Sequence, residues 1–282
     1  MFLTISSMVQ KRIQSALIIE DDADWDVLLK QQMLSFARGA RAIQNSTLPV
    51  QTPYGDSWNL LTVGHIGVNN KPFKEQKYYV THNDPTAIGA ARRNFGRRPD
   101  LSAEKLQGNH SRYVMEVYKM TGTAAYALSL RGAARLLYDQ AIVPDAQPID
   151  LAISDVCRHD ATWREPFCLG AYPSIFGLFR GIGPIDKDSD RRSDNDASAA
   201  KDETKESPIE PQVIKMRKAA TSKLTVFPAS LHIEELLRGE TIFKTFDPVS
   251  DMMSEIDIST FQYPRGELVT VQPEEYTPKS PV

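Results

Sequence analysis

Four carboxylates fall within five residues of this chain: Glu20, Asp21, Asp22 and Asp24. They follow directly on Ala16–Ile19, a short continuous apolar run that reads as a strand covered on both faces. Like charges this close repel, so a fold that gathers them supplies a counter-charge. A divalent cation with oxygen ligands, magnesium or manganese, suits such a cluster. Ligands of open α/β sheets bind outside the carboxyl ends of the strands, so position and chemistry agree. A solvated acidic turn, with Asp24 capping the following helix, accounts for the same residues.

Other candidates are weaker. His65 follows the run Trp58–Val63, but no second histidine lies at ligand spacing, so a loop position is the simpler reading. Arg92, Arg93, Arg97 and Arg98 could meet a diphosphate or an acidic acceptor; a solvated loop explains them as well. Cys157 and Cys168 are too few for a cysteine-rich zinc site. Composition alone favours free or buried thiols.

The elements that must position these residues follow from apolar periodicity. Val9 and Ile13 lie one helical turn apart behind Ser6 and Ser7, which predicts a capped helix before the first strand. Trp25, Leu28, Leu29, Phe36, Ala37 and Ala40 predict a long amphipathic helix after the acidic turn, with Lys30, Gln31, Arg38 and Arg41 facing away. Trp58–Val63 predicts a second buried strand. Residues 68–110 are polar and read as a long surface excursion. Strand character returns in RYVMEVY from Arg112 and in TGTAAYALS up to Ser129. Ser129 is then a natural N-cap for a helix stopped by Pro144, and another short helix is expected from Asp150. Residues 186–222 are charged, Ser/Asp-rich and almost without large apolar side chains, the composition of a disordered linker. Residues 223–282 read as a short helical segment, at Leu231–Leu237, and a tail that ends in PEEYTPKSPV.

A net charge of −3 and a pI near 6.0 give no electrostatic footprint for nucleic acid. No run approaches the ~18 apolar residues of a membrane-spanning helix, and the first residues lack the pattern of a signal peptide. The chain reads as soluble as given; a secretory-pathway lumen would follow if an N-terminal anchor was lost.

Two families place acids after a strand in this way. Receiver domains of bacterial signalling proteins do, but they need a phosphate-accepting Asp at the end of a later strand, where WNLLTVGHIG offers Thr62, Val63 and Gly64. The second match is broader. ALIIEDDADWD, YGDSWNLLTVGHIG, GTAAYALSLRGAARLLYD and PIDLAI, in that order, resemble glycosyltransferase family 25, especially its fungal members, over roughly residues 10 to 190; GPIDKDSD is a weaker further match.

The resemblance implies an α/β, GT-A-like fold over residues 1–185, N-terminally incomplete. The family's first strand and its nucleotide-holding loop are not matched, and MFLTIS stands in their place. It implies transfer of a hexose, galactose or glucose, from a donor such as a UDP-hexose to a hydroxyl of a glycan or protein acceptor, with Mn2+ or Mg2+. A degenerate binding module that has lost donor binding is the alternative. Glu20 and Asp21 would then bind the nucleotide sugar, Asp22 and Asp24 the metal. Asp150 would orient or deprotonate the acceptor hydroxyl, although a helix N-cap explains it equally. Tyr126, Ser129, Arg131 and Gly132 match the family too, but read first as a strand-to-helix junction. The resemblance also favours a local bridge between Cys157 and Cys168.

Overall fold

A computed structural model describes residues 2–47, 50–93, 96–142, 148–158, 168–184, 216–249 and 251–277. In chain order the elements are α1 (Phe2–Gln10), β1 (Ser15–Ile19), β2 (Ala23–Trp25), α2 (Leu29–Ile43), β3 (Leu60–Gly64), β4 (Gly67–Asn69), β5 (Gln76–Thr81), β6 (Arg112–Glu116), β7 (Lys119–Thr121) and β8 (Ala125–Ser129). Then come α3 (Leu130–Ile142), α4 (Ile149–Arg158), β9 (Cys168–Tyr172), β10 (Phe176–Arg180), β11 (Gly183–Pro184), β12 (Met216–Arg217), β13 (Thr221–Lys223), α5 (Ile233–Leu237), β14 (Ile242–Lys244), β15 (Glu255–Asp257) and β16 (Glu267–Val271).

The fold is α/β, built on a ten-stranded mixed sheet in the order β1-β8-β3-β9-β6-β5-β16, with β2, β10 and β13 continuing from β3. The three strands predicted around Ala16–Ile19, Trp58–Val63 and Thr121–Ser129 are adjacent in it. β8 lies between β1 and β3 and runs antiparallel to both, while β3 and β9 are parallel. One face packs Tyr78, Tyr113, Tyr126 and Leu128 beneath α1, α3 and α4; the other packs Leu61, Val63 and Val114 beneath Phe36 and Ala40 of α2.

The junction from β8 to α3 shows how tightly the first face is built. Asn59 O accepts from Ser129 N (3.0 Å), Ser129 Oγ accepts from Gly132 N (3.1 Å), and Arg131 Nε donates to Asn59 Oδ1 (2.8 Å). A Cβ on Gly132 would lie 2.1 Å from Asn59 O, so only glycine lets the helix start here. The YALSLRGA stretch is thus a structural joint.

Several expectations are corrected. β1 is an edge strand with alternate residues exposed, not a strand covered on both faces. Its short length and apolar content mimic a central strand. The first helix begins at Phe2, so Ser6 and Ser7 lie inside it and Ile13 outside it. Trp25 belongs to β2, and the long helix begins only at Leu29, because the acidic turn is pinned as a strand against β10. The excursion 68–110 contains β5, a largely buried strand of the main sheet. Arg93 is buried, donating to Ile88 O, Asn109 O and Ser111 O, and Arg92 is paired with Asp251.

Of the stretch 186–222, residues 186–215 lie outside the described residues; Met216–Arg217 and Thr221–Lys223 are strands. The predicted helix near Leu231–Leu237 is present as α5. The C-terminal segment is more than a tail: Leu224, Val226, Phe227, Phe243 and Ile256 form a core of their own with Leu28, and β16 joins the main sheet beside β5. Cys157 and Cys168 form a disulfide with Cα atoms 5.5 Å apart, tying α4 to β9. Composition pointed to thiols; the geometry follows the local bridge. No described helix is long and apolar enough to cross a membrane.

Candidate functional site

The acidic stretch turns over at the carboxyl end of β1. Glu20 N donates to Ala124 O (2.9 Å), which closes the β1–β8 ladder, and Ala23 N returns to Glu20 O (3.1 Å). Glu20 Oε1 accepts from Thr123 Oγ1 at 2.5 Å. On the other side of the same loop, Asp150 Oδ2 accepts from Gly122 N at 3.1 Å. Gly122 adopts φ +77°, a left-handed conformation that glycine tolerates. Glu20 and Asp150, from different parts of the chain, thus hold adjacent residues of one tight loop. Asp150 sits in the first turn of α4, where a carboxylate is favoured by the helix dipole, and α4 is locked in place by Ser154, whose Oγ bonds both Met120 N (2.9 Å) and Met120 O (2.8 Å). Asp150 is thus the second residue of the helix and not its N-cap, and its Oδ1 accepts from Leu151 N at 3.0 Å.

Asp21 is exposed at the tip of the turn. Asp22 is half-buried and ion-paired with Arg180 of β10, and its carbonyl accepts from Phe179 N at 2.8 Å. Asp24 points elsewhere. It is 2% exposed; Oδ1 accepts from Trp25 N (2.8 Å) and Ser230 N (3.1 Å), and Oδ2 accepts from Ser230 Oγ at 2.5 Å. It does not cap α2, whose N-cap is Leu28 with no side-chain cap bond. Nor does it fit a divalent cation. A metal would have to displace Ser230 from Asp24 and Arg180 from Asp22. Among the described residues no three His, Cys, Asp or Glu side chains come together as a ligand set. Asp22 joins the turn to β10, and Asp24 joins it to the C-terminal segment.

Asp26 extends that joint. Its carboxylate accepts from Leu28 N (3.3 Å), Val226 N (3.2 Å) and Phe227 N (2.9 Å) in a fully buried position, and burial pushes its pKa up to about 7. The signal for it was present in the sequence, as the last acid of EDDADWD, but Val226 and Phe227 lie 200 and 201 residues away, in a segment where only a short helix and a tail were expected.

Further polar groups gather along the same end of the sheet. His65, at the end of β3, is buried; its Nε2 lies 2.7 Å from Ala171 O, and a carbonyl accepts only from a protonated nitrogen. Burial lowers its pKa to about 4, so the ring is neutral and Nδ1 is an acceptor with no partner in the structure. A small cleft is lined by His65, Arg93, Tyr172, Ser174 and Leu224. Beside it, Arg112 uses all its donor nitrogens: Nε to Asp84 Oδ2 (2.7 Å), Nη1 to Pro173 O and Ser174 O, Nη2 to Thr86 O. Tyr263 Oη also donates to Asp84 Oδ2, at 2.6 Å. Sequence reading singled out none of Thr123, Arg180, Ser230, Asp84, Arg112 or Tyr263.

No family model, curated protein or solved structure matches this chain.

One orphan lies near Glu20. Tyr126 is fully buried in β8, its hydroxyl has no hydrogen-bond partner among the described residues, and burial together with the Glu20 charge raises its pKa. A buried hydroxyl without a partner is costly.

Proposed function

We propose that the chain is a GT-A-like glycosyltransferase domain that transfers a hexose from a nucleotide-sugar donor to an acceptor hydroxyl. The observation that carries the reading is the carboxylate pair Glu20 and Asp150, gripping neighbouring residues of the Gly122–Ala124 loop at the carboxyl end of the sheet. This is where open α/β sheets bind ligands. The sequence resemblance to family 25 supports it independently, since its motifs supply both carboxylates. The antiparallel strand between β1 and β3 is compatible with the GT-A arrangement. In this reading Asp150 orients or deprotonates the acceptor hydroxyl. Arg180, now paired with Asp22, offers a cation to the donor diphosphate. No step is assigned to a metal, because the Asp22–Asp24 geometry does not fit one. The Cys157–Cys168 bridge supports an oxidising compartment such as the secretory lumen.

A degenerate binding module is the second reading, favoured by the internal partners of Asp22 and Asp24. Turnover of UDP-galactose and UDP-glucose, with and without manganese, separates the two. Donor consumption by the wild-type chain and its loss in Asp150→Asn support the transferase. A folded chain that neither consumes a donor nor binds UDP by calorimetry refutes it.

A further inference from the structure

The outer edge of β1 is built to be paired. Gln14 O accepts from Leu130 N (2.8 Å) and Glu20 N donates to Ala124 O (2.9 Å), so the even residues of this strand face β8. Antiparallel ladders alternate, which turns the N–H and C=O groups of Ser15, Leu17 and Ile19 outward. Among the described residues no strand meets them. Exposed edges are normally blunted by a charge, a proline or a bulge. Ser15–Ile19 has none of these, and instead shows Leu17 at 47% and Ile19 at 44% exposure. Beside Leu17 an open apolar groove of about 130 Å3 is lined by Met33, Tyr54, Trp58, Leu61 and Ala127.

We propose that this edge pairs with the same edge of a second copy of the chain, antiparallel, across a two-fold axis at Leu17. Charge selects this occupant and this direction. The exposed Lys11 and Arg12 precede the strand, and Glu20, Asp21 and Asp22 follow it. The two-fold register sets Ser15 against Ile19, so the turn that carries Lys11 and Arg12 in each copy lies at the end of the ladder where the exposed Asp21 of the other follows. A parallel arrangement would set like charges together. Leu17 would exchange both backbone hydrogen bonds with its counterpart, and the Ser15 and Ile19 pairs would add theirs, about six bonds in all. The two Leu17 side chains then lie side by side on the groove face, joining the two apolar grooves into one covered surface. The dimer would also set the two acidic turns at opposite ends of the shared ladder.

Sedimentation of the full chain from roughly 1 to 100 μM tests this, since edge pairing of this size belongs to the micromolar range. The mass is expected to rise from 31.6 kDa towards twice that value with concentration. Leu17→Lys places two ammonium groups together on the axis and is expected to weaken association at least tenfold, with an unchanged circular-dichroism spectrum. Hydrogen exchange at the Leu17 and Ile19 amides should slow as the dimer forms, while that at Ala16 and Ile18 stays constant. A mass that remains at the monomer value throughout overturns the proposal. So does a Leu17→Lys variant that associates like the wild type, because the interface would then lie elsewhere.

Discussion

Asp24 and Ser230 decide between a metal ligand and a structural joint, and the two roles predict opposite behaviour. Asp24 accepts three hydrogen bonds, two of them from Ser230, in a position 2% exposed. Replacing Asp24 by Ala leaves the Ser230 amide and hydroxyl buried without an acceptor. Each unsatisfied group costs about 1–3 kcal/mol, so the loss should fall near 3 kcal/mol. Asn is milder, since its carbonyl keeps the backbone donors and its amide can donate to the Ser230 hydroxyl; about 1 kcal/mol is expected. Ser230→Ala removes one charge-assisted bond, roughly 1.5–3 kcal/mol. The double variant Asp24→Ala/Ser230→Ala should be less destabilised than the sum, with a coupling of about 1–2 kcal/mol, as contacting residues show.

The assay is denaturant unfolding of the four proteins, repeated with and without manganese. A structural joint gives the coupling and no manganese effect on any member of the cycle. A metal pair gives a manganese-dependent stabilisation of the wild type that Asp24→Ala abolishes, with no coupling to Ser230. That second pattern would refute the assignment of Asp24 made here, and with it the argument that a cation does not fit the turn.

Two further outcomes follow from the buried charges. The Asp84–Arg112 pair is dry and fully bonded, so Asp84→Ala, which strands the guanidinium, should cost roughly 3–5 kcal/mol; Tyr263→Phe should cost less, about 1.5–3 kcal/mol, and a loss under 1 kcal/mol for Asp84→Ala contradicts the network. Asp26 has a folded pKa near 7, above its ordinary 3.8, so the native state holds a proton that the unfolded chain has released. Its contribution is full below about pH 4 and is lost as pH rises to about 7, a change of up to roughly 4 kcal/mol. Unfolding measured from pH 4 to 8 should therefore show a downward slope that Asp26→Asn flattens; equal slopes in the two proteins would exclude Asp26 as the titrating group.

What could be read from sequence and what could not divides along the chain separation of the partners. The strand at Trp58–Val63 and the junction at Ser129–Gly132 were legible because their information is local: an apolar run, a capping hydroxyl and a glycine three residues later. The Tyr78–Tyr79–Val80 strand was hidden inside a polar window whose average suggested a loop. β1 was legible as a strand but not as an edge, because five residues with two small side chains carry no signal of what lies beside them.

The acidic cluster marks the sharper limit. Its composition asks for a counter-charge, and a cation is the answer that local chemistry offers first. The protein answers instead with Arg180, Thr123 and Ser230, drawn from 158, 103 and 206 residues away. Glu20, Asp22 and Asp24 are thereby given different neighbours. Asp24 and Asp26 fasten the C-terminal core to the sheet, Asp22 holds β10, and Glu20 joins Asp150 on the Gly122–Ala124 loop. Glu20 and Asp150 are both half-buried, and the Glu20 charge acts on the Tyr126 hydroxyl. Repulsion between adjacent carboxylates is relieved by directing them into separate contacts, so proximity in sequence and a shared site are different things here. The spacing that first suggested Asp22 and Asp24 reflects β10 and the turn at Ser230 being anchored from one stretch of chain, and the ligand-binding role proposed above rests on Glu20 and Asp150.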